Sequence, residues 1–209
     1  MNLSLDDALI YIVDDDEALR RSLVFLLESV GWRVEVHASA EDFLAACRAG
    51  LPGCLVLDIR MPSMSGLELQ RVMKERGIDL PVVFITGHGD VSMAVQAMKQ
   101  GASDFVEKPF KDQVLLDAVA HAVRQSRECQ EEARRRSEAR AALDRLSPRE
   151  REVARLVARG LPNKLVGREL DISEKTVHVH RQHVMDKTGV GSAAELARLM
   201  LLADPSSLD

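Results

Sequence analysis

ALIYIVDDDEALRRSLVFLLESVG, Ala8–Gly31, carries the pattern that decides the fold of the first part of this chain. Six residues from Ala8 to Val13 are apolar without interruption. A short run of this kind reads as a strand covered on both faces, the condition of a parallel sheet. Three aspartates, Asp14, Asp15 and Asp16, end the run, and in EALRRSLVFLLESVG the apolar residues return every three or four positions, as on one face of a helix. Strand, carboxylate cluster and helix together make a βα unit with its chemistry at the carboxyl end of the strand.

The unit repeats. WRVEVHA, CLVLDI, PVVFITG and DFVEKP are further short apolar runs separated by helical patterns, up to about Phe110. Five strands alternating with helices predict an α/β fold, a doubly wound five-stranded parallel sheet of flavodoxin-like type with its crevice at the carboxyl ends of the strands. Asp58 ends the third run, Thr86 the fourth and Lys108 the fifth, so all three join Asp14 and Asp15 on that edge.

Carboxylates gathered in this way repel one another, and a hard divalent cation such as Mg²⁺, which takes oxygen ligands, is their natural occupant. A lysine beside them holds a phosphoryl group as a point charge, and a threonine hydroxyl donates to the same oxygens. The set describes an acyl-phosphate site with an aspartate as nucleophile. Each member alone has an ordinary structural reading, since an Asp at a strand end commonly caps the next helix. Their joint placement at successive strand ends favours the chemical one. A metal-dependent phosphatase on the same sheet is the rival from the enzyme class, but DxDxT is absent and the C-terminal part would have no role. GHGDVS has Ser92 where a dinucleotide fingerprint needs its third glycine, and SMSG lacks the first glycine of a nucleophile elbow.

A chain of 209 residues accommodates two domains. Charge divides accordingly: residues 1–124 carry 12 Lys/Arg against 19 Asp/Glu, 125–144 carry 5 against 5, and 145–209 carry 11 against 9. An acidic first part and a mildly basic last part predict different partners. Cys47, Cys54 and Cys129 are scattered and odd in number, against both a disulfide framework and a zinc knuckle. No apolar run reaches the roughly 18 residues of a membrane span, and the N-terminus is acidic where an export signal is basic. A cytoplasmic protein without membrane contact is expected.

Lys111 to Leu146 contain neither Gly nor Pro over 36 residues, which predicts a long helix. Val114, Leu115, Val119 and Val123 are expected to pack on the sheet, whereas QSRECQEEARRRSEAR is polar all round and reads either as a solvated spacer or as an arm that pairs with a second chain. The expected division is 1–124 sheet domain, 125–144 helical linker and 145–209 a second, all-α domain.

That last part opens on LSPRE, where Ser147, Pro148 and Glu150 form a capping box. Further helices are expected to begin near Pro162 and Asn163, after Ser173, and at Ser192, giving a helix-turn-helix unit. The third helix contains HVHRQHVMDK, His178–Lys187. At 100° per residue Val177, Arg181, Val184 and Thr188 share the inward side, His178, Val179 and Gln182 lie opposite, His183 is at the edge, and His180 sits beside the core. The three histidines therefore do not converge on a metal. His180 reads as a packing residue, while Gln182 can pair with adenine and Val179 can meet a thymine methyl.

IVDDDEALR, LVLDIRMPSMSGLEL, VVFITGHGD and FVEKPF match, in order and spacing, the blocks of a response-regulator receiver domain, which residues 8–124 therefore resemble. LSPREREVARLVARGLPNKLVGRELDISEKTVHVHRQHVMDKTGV resembles the DNA-binding domain of the NarL/FixJ and LuxR type. The resemblance implies a two-component transcription regulator, with phosphotransfer to Asp58 from a sensor histidine kinase. It implies Asp15 as direct metal ligand, Asp14 acting through water, and the Arg60 carbonyl completing the protein ligands. Thr86 and Phe105 would be the switch pair, and Lys108–Pro109 a cis peptide. Arg60 and His88 would tune phosphoryl lifetime. Phosphorylation would pair two chains through the fourth helix and fifth strand, with Val95 and Lys99 on that face, and bring two units to double-stranded DNA. Lys175 and Thr176 would meet phosphate, His178, Val179, Gln182, His183 and Lys187 would line the DNA side, and RNA polymerase would be a further partner. The rival binding-class reading is a DNA-binding regulator whose receiver dimerises without phosphotransfer. With a formal net charge of only +1 on the helix from Glu174 to Lys187, affinity per monomer is expected to be modest and to rise below about pH 6.5 as histidines charge. Thr188 stands where the family usually has a core leucine.

Overall fold

The computed structural model describes residues 8–47, 50–87 and 91–207, in two compact units that divide between Gln130 and Glu131. In the first, β1 (Leu9–Val13), α1 (Glu17–Ser29), β2 (Arg33–His37), α2 (Ala40–Ala46), β3 (Gly53–Asp58), α3 (Gly66–Glu75), β4 (Val82–Thr86), α4 (Val91–Lys99) and β5 (Asp104–Glu107) alternate as expected. All pairings are parallel and the strand order is β2-β1-β3-β4-β5.

The uninterrupted apolar runs have a direct cause, because each central strand sends alternate residues to opposite, equally buried faces. Ile10, Ile12, Val56, Val83 and Ile85 pack with Leu23 and Leu27 of α1 and with Leu115, Val119 and Val123 of the long helix α5 (Asp112–Asp144). Leu9, Tyr11, Val13, Leu55, Leu57 and Phe84 face the other way, onto Phe43, Leu69, Met73 and Ala97. β2 has a sheet neighbour on one side only and is correspondingly half-exposed. Val114 departs from expectation: it is 50 % exposed. The buried stripe of α5 is Leu115, Ala118, Val119, Ala122, Val123 and Ser126, and Val114 falls about 100° to one side of Leu115.

α5 is continuous over 33 residues, and the expected linker contributes to both units. Ser126 is buried and its Oγ accepts from the Gly53 amide at 3.2 Å, whereas Ala139 and Ala142 are buried in the second unit. Between them Arg134, Arg135 and Arg136 pair with Glu131, Glu132 and Glu138 along the exposed surface, at the i,i+3 and i,i+4 spacings that make side chains neighbours on a helix.

The second unit consists of the end of α5 with α6 (Pro148–Ala158), α7 (Asn163–Leu170), α8 (Glu174–Thr188) and α9 (Ala193–Ala203). Ser147 Oγ accepts from the Glu150 amide at 3.3 Å and the Glu150 carboxylate accepts from the Ser147 amide at 2.7 Å, so both halves of the capping box form. Val153, Val157, Val166, Val177, Val184 and Leu196 make the core. The α7–α8 turn is tight: Asp171 is left-handed at φ +50°, and a Cβ at Gly167 would lie 2.8 Å from the Ile172 carbonyl oxygen.

Candidate functional site

Four strands deliver their chemical residues to one edge. Asp14 follows β1, Asp58 ends β3, Thr86 ends β4 and Lys108 follows β5. Asp14, Asp58 and Thr86 are buried at 2 %, 7 % and 2 % exposure, while Asp15 stands exposed beside them. The Lys108 ammonium joins the set, donating to Asp58 Oδ1 at 2.5 Å and to Asp14 Oδ2 at 3.1 Å. The Lys108–Pro109 peptide is cis.

Two buried carboxylates share this one lysine. Burial, with the charge of Asp14 adding to it, raises the Asp58 carboxyl above its ordinary range even though Lys108 and the Arg60 amide oppose the shift. Burial alone would lower the Lys108 ammonium, but its bonds to Asp58 and Asp14 outweigh that and hold it protonated. The site is thus short of positive charge, and a further cation relieves it. Among the described residues no three His, Cys, Asp or Glu side chains already converge as a ligand cage. The donor chemistry nonetheless fits Mg²⁺: hard carboxylate oxygens of Asp14 and Asp58, with Asp15 next in the chain and Arg60, whose backbone carries a further carbonyl oxygen, two residues past Asp58.

Arg60 is exposed, and its amide donates to Asp58 Oδ2 at 2.6 Å. Thr86 Oγ1 donates to the Gly87 carbonyl at 3.3 Å. Phe105 is partly exposed on β5, and Val95 and Lys99 lie exposed on α4, with Met98 exposed beside them. His88 lies outside the described residues.

Two contributors were not legible in the sequence. A Cβ at Gly66 would lie 2.3 Å from the Asp58 carbonyl oxygen, so a side chain there is incompatible with the close approach of α3 to the end of β3. Arg20 of α1 donates from Nη1 to the Asp14 carbonyl at 2.6 Å. The LEL that follows Gly66 and the spacing of Arg20 signal a helix, not these contacts.

In the second unit α8 buries Val177, Val184 and Thr188, and Thr188 satisfies its hydroxyl by donating to the Val184 carbonyl at 2.6 Å. Arg181 is half-buried and donates to Asn163 Oδ1 at 3.2 Å. His180 is half-buried with its Nδ1 enclosed. Lys175, Thr176, His178, Val179 and Gln182 are exposed. At the N-terminus of α8, Ser173 Oγ accepts from the Thr176 amide at 3.1 Å. Lys187 is committed elsewhere: its Nζ lies 2.8 and 2.6 Å from the two oxygens of the buried Glu150, and His183 Nδ1 stands 3.7 Å from the same carboxylate. The lysine, with the Ser147 amide, holds the Glu150 carboxyl down to about 2.

Residues 10–120 match the family model described as the response regulator receiver domain, and residues 144–200 match that of bacterial regulatory proteins of the luxR family. The chain belongs to the response regulators. This response regulator is 46 % identical over 197 residues to the transcriptional regulatory protein FixJ of Rhizobium meliloti, covering 94 % of this chain and 97 % of that one. It is 45 % identical over 192 residues to nodulation protein W of Bradyrhizobium diazoefficiens, covering 92 % and 85 %. Among solved structures, the response regulator StyR aligns with a TM-score of 0.86 at 42 % identity over 92 % of this chain and 98 % of that one. Full-length FixJ from B. japonicum aligns at 0.59 and 44 %, over 94 % and 97 %. The regulator is thus a FixJ-like transcriptional regulator with a receiver domain and a LuxR-type DNA-binding domain. No described helix is long and apolar enough to cross a membrane.

Proposed function

We propose that this regulator accepts a phosphoryl group on Asp58 from a sensor histidine kinase and that the acyl phosphate promotes pairing of two chains and sequence-specific DNA binding. The observation that carries the reading is the Lys108 ammonium between Asp14 and Asp58 at the carboxyl edge of the sheet, 3.1 and 2.5 Å from their oxygens. In the transfer an Asp58 carboxylate oxygen bonds to phosphorus as the phosphorus–nitrogen bond of the kinase phosphohistidine breaks, leaving the imidazole. Lys108 then offers its charge to the phosphoryl oxygens. Mg²⁺ held by Asp14, Asp15, Asp58 and the Arg60 carbonyl supplies neutralisation of the charge on the transferred group when bound. Arg60 and His88, two residues past Asp58 and Thr86 in the chain, tune the lifetime of the phosphoryl group.

Thr86, one strand from Asp58, reports the phosphoryl group to Phe105, and the partly exposed Val95, Lys99 and Phe105 form the pairing surface. Domain roles follow the division 1–124 receiver, 125–144 linker and 145–209 DNA-binding. Two DNA-binding units then meet a two-fold site, with Lys175 and Thr176 at phosphate and His178, Val179 and Gln182 at base edges. His183 and Lys187 stand at the border of that face, tethered to Glu150. RNA polymerase is a partner of the assembled complex, and the regulator acts in the cytoplasm.

Incubation with acetyl phosphate and Mg²⁺ tests the proposal. The expected outcome is a mass gain of one phosphoryl group on wild type, abolished by Asp58→Asn, with a shift to dimer and tighter operator binding. Absence of the gain, with dimerisation and DNA binding intact, favours a receiver that only dimerises.

A further inference from the structure

Asp14, Asp15 and Asp16 are three like charges on consecutive residues, and mutual repulsion works against any one conformation of the turn that carries them. The turn is nevertheless fixed at several points. The Asp16 amide donates to Asp14 Oδ1 at 2.8 Å, and Asp16 Oδ1 accepts from the Ala18 and Leu19 amides at 2.8 and 3.2 Å, capping α1. Arg20, one turn into that helix, binds the turn twice: its backbone amide donates to the Asp16 carbonyl at 3.0 Å and its Nη1 to the Asp14 carbonyl at 2.6 Å. Its side chain is half-buried. Arg21, the next guanidinium, is exposed and pairs with Glu17 at 3.3 Å.

We propose that Arg20 is a positioning residue for the cation site: by clamping the Asp14 carbonyl it fixes the backbone from which the Asp14 and Asp15 carboxylates project. This rests on the reading of those carboxylates as metal ligands. Two effects of opposite sign meet in Arg20. As a charge it repels a divalent cation, so its loss would tighten binding; as a clamp it pre-organises the ligands, so its loss would weaken binding. The clamp dominates because the guanidinium is spent on a backbone carbonyl and not on the carboxylate oxygens a metal needs, and outer partners of metal ligands are typically worth ~10–100-fold in affinity.

The test is calorimetric titration of the full chain with Mg²⁺, without phosphodonor, for wild type, Arg20→Ala and Arg21→Ala. Arg20→Ala is expected to weaken Mg²⁺ binding about tenfold, whereas Arg21→Ala, which removes the same charge one residue further on, binds as wild type does. Equal or tighter binding by Arg20→Ala overturns the proposal, and so does equal weakening by Arg21→Ala, which would make the effect one of bulk charge. Should Arg20→Ala unfold, Arg20→Lys, which keeps the charge and loses the guanidinium geometry, is expected to weaken binding several-fold, and wild-type affinity in that variant overturns the proposal. Wild type that binds no Mg²⁺ refutes the underlying cation site itself.

Discussion

Lys108 Nζ lies 2.5 Å from Asp58 Oδ1, yet the Asp58 carboxyl is raised above its ordinary range because burial and the neighbouring Asp14 outweigh the lysine. A carboxyl with a raised folded-state value binds its proton more tightly folded than unfolded. Its contribution to stability is therefore greatest in acid and is lost as pH climbs past about 4 and through the raised value. In metal-free protein at pH 7, Asp58→Asn should melt above wild type, by about 2–4 °C for each kcal/mol relieved. The gap should close as pH falls toward about 4. Calorimetric melts in EDTA across that range check this, and a variant that melts below wild type at pH 7 counts against it.

Glu150 shifts the opposite way. Held down to about 2 from an ordinary 4.5 by Lys187 and the Ser147 amide, it stabilises the second unit above the ordinary carboxylate range, and that contribution is lost as pH falls from about 4.5 to about 2. Lys187→Met leaves the buried carboxylate with one donor fewer and should cost about 1–3 kcal/mol at pH 7. It should also flatten the acid dependence. Hydrogen exchange of the α6 and α8 amides in the full chain reads both effects, and protection equal to wild type at pH 7 would refute the coupling.

What the sequence made legible and what it did not divide along a physical line. The central strands announce themselves because a strand buried on both faces has no room for polar residues, and Ile10 to Val13 satisfy that rule residue by residue. Asp58, Thr86 and Lys108 are legible because a doubly wound sheet assigns strand ends to one edge. The core of α8 also follows its wheel, with Val177, Val184 and Thr188 buried. Val114 misleads because an apolar residue beside a buried stripe looks like part of it until the phase is counted. The Arg20 clamp and the Glu150–Lys187 pair stay hidden for another reason: a charge in a sequence names no partner. The first spans 6 residues and the second 37.

On the exposed side of α8, Gln182 and Lys175 should fail in different ways. Gln182→Ala removes a base-edge contact and should cost about 1–3 kcal/mol on the preferred site alone, leaving the dependence of affinity on salt unchanged. Lys175→Ala removes a phosphate contact and should weaken binding to every sequence, with the slope of log affinity against log salt reduced by about 1. Fluorescence anisotropy on a selected site and on unrelated DNA, over a range of salt, separates the two. Equal losses of Gln182→Ala on both DNAs would move that residue off the bases.

Gly66 offers the sharpest steric prediction. Its missing side chain leaves room for the end of β3: a Cβ there would stand 2.3 Å from the Asp58 carbonyl oxygen and 3.1 Å from the Ile59 Cα. Both obstacles are backbone and cannot rotate away. Gly66 is also held in place, since its amide donates to the Ile59 carbonyl at 3.0 Å and Ser65 caps α3 by accepting from the Glu68 amide. Gly66→Ala must therefore displace either α3 or the turn that carries Asp58. Overpacking of this kind typically costs about 1–3 kcal/mol. Because the strain falls on the Asp58 backbone, the rate of labelling by acetyl phosphate should drop together with stability in urea. A variant that keeps wild-type stability and labelling would mean that α3 can retreat without moving the phosphoacceptor.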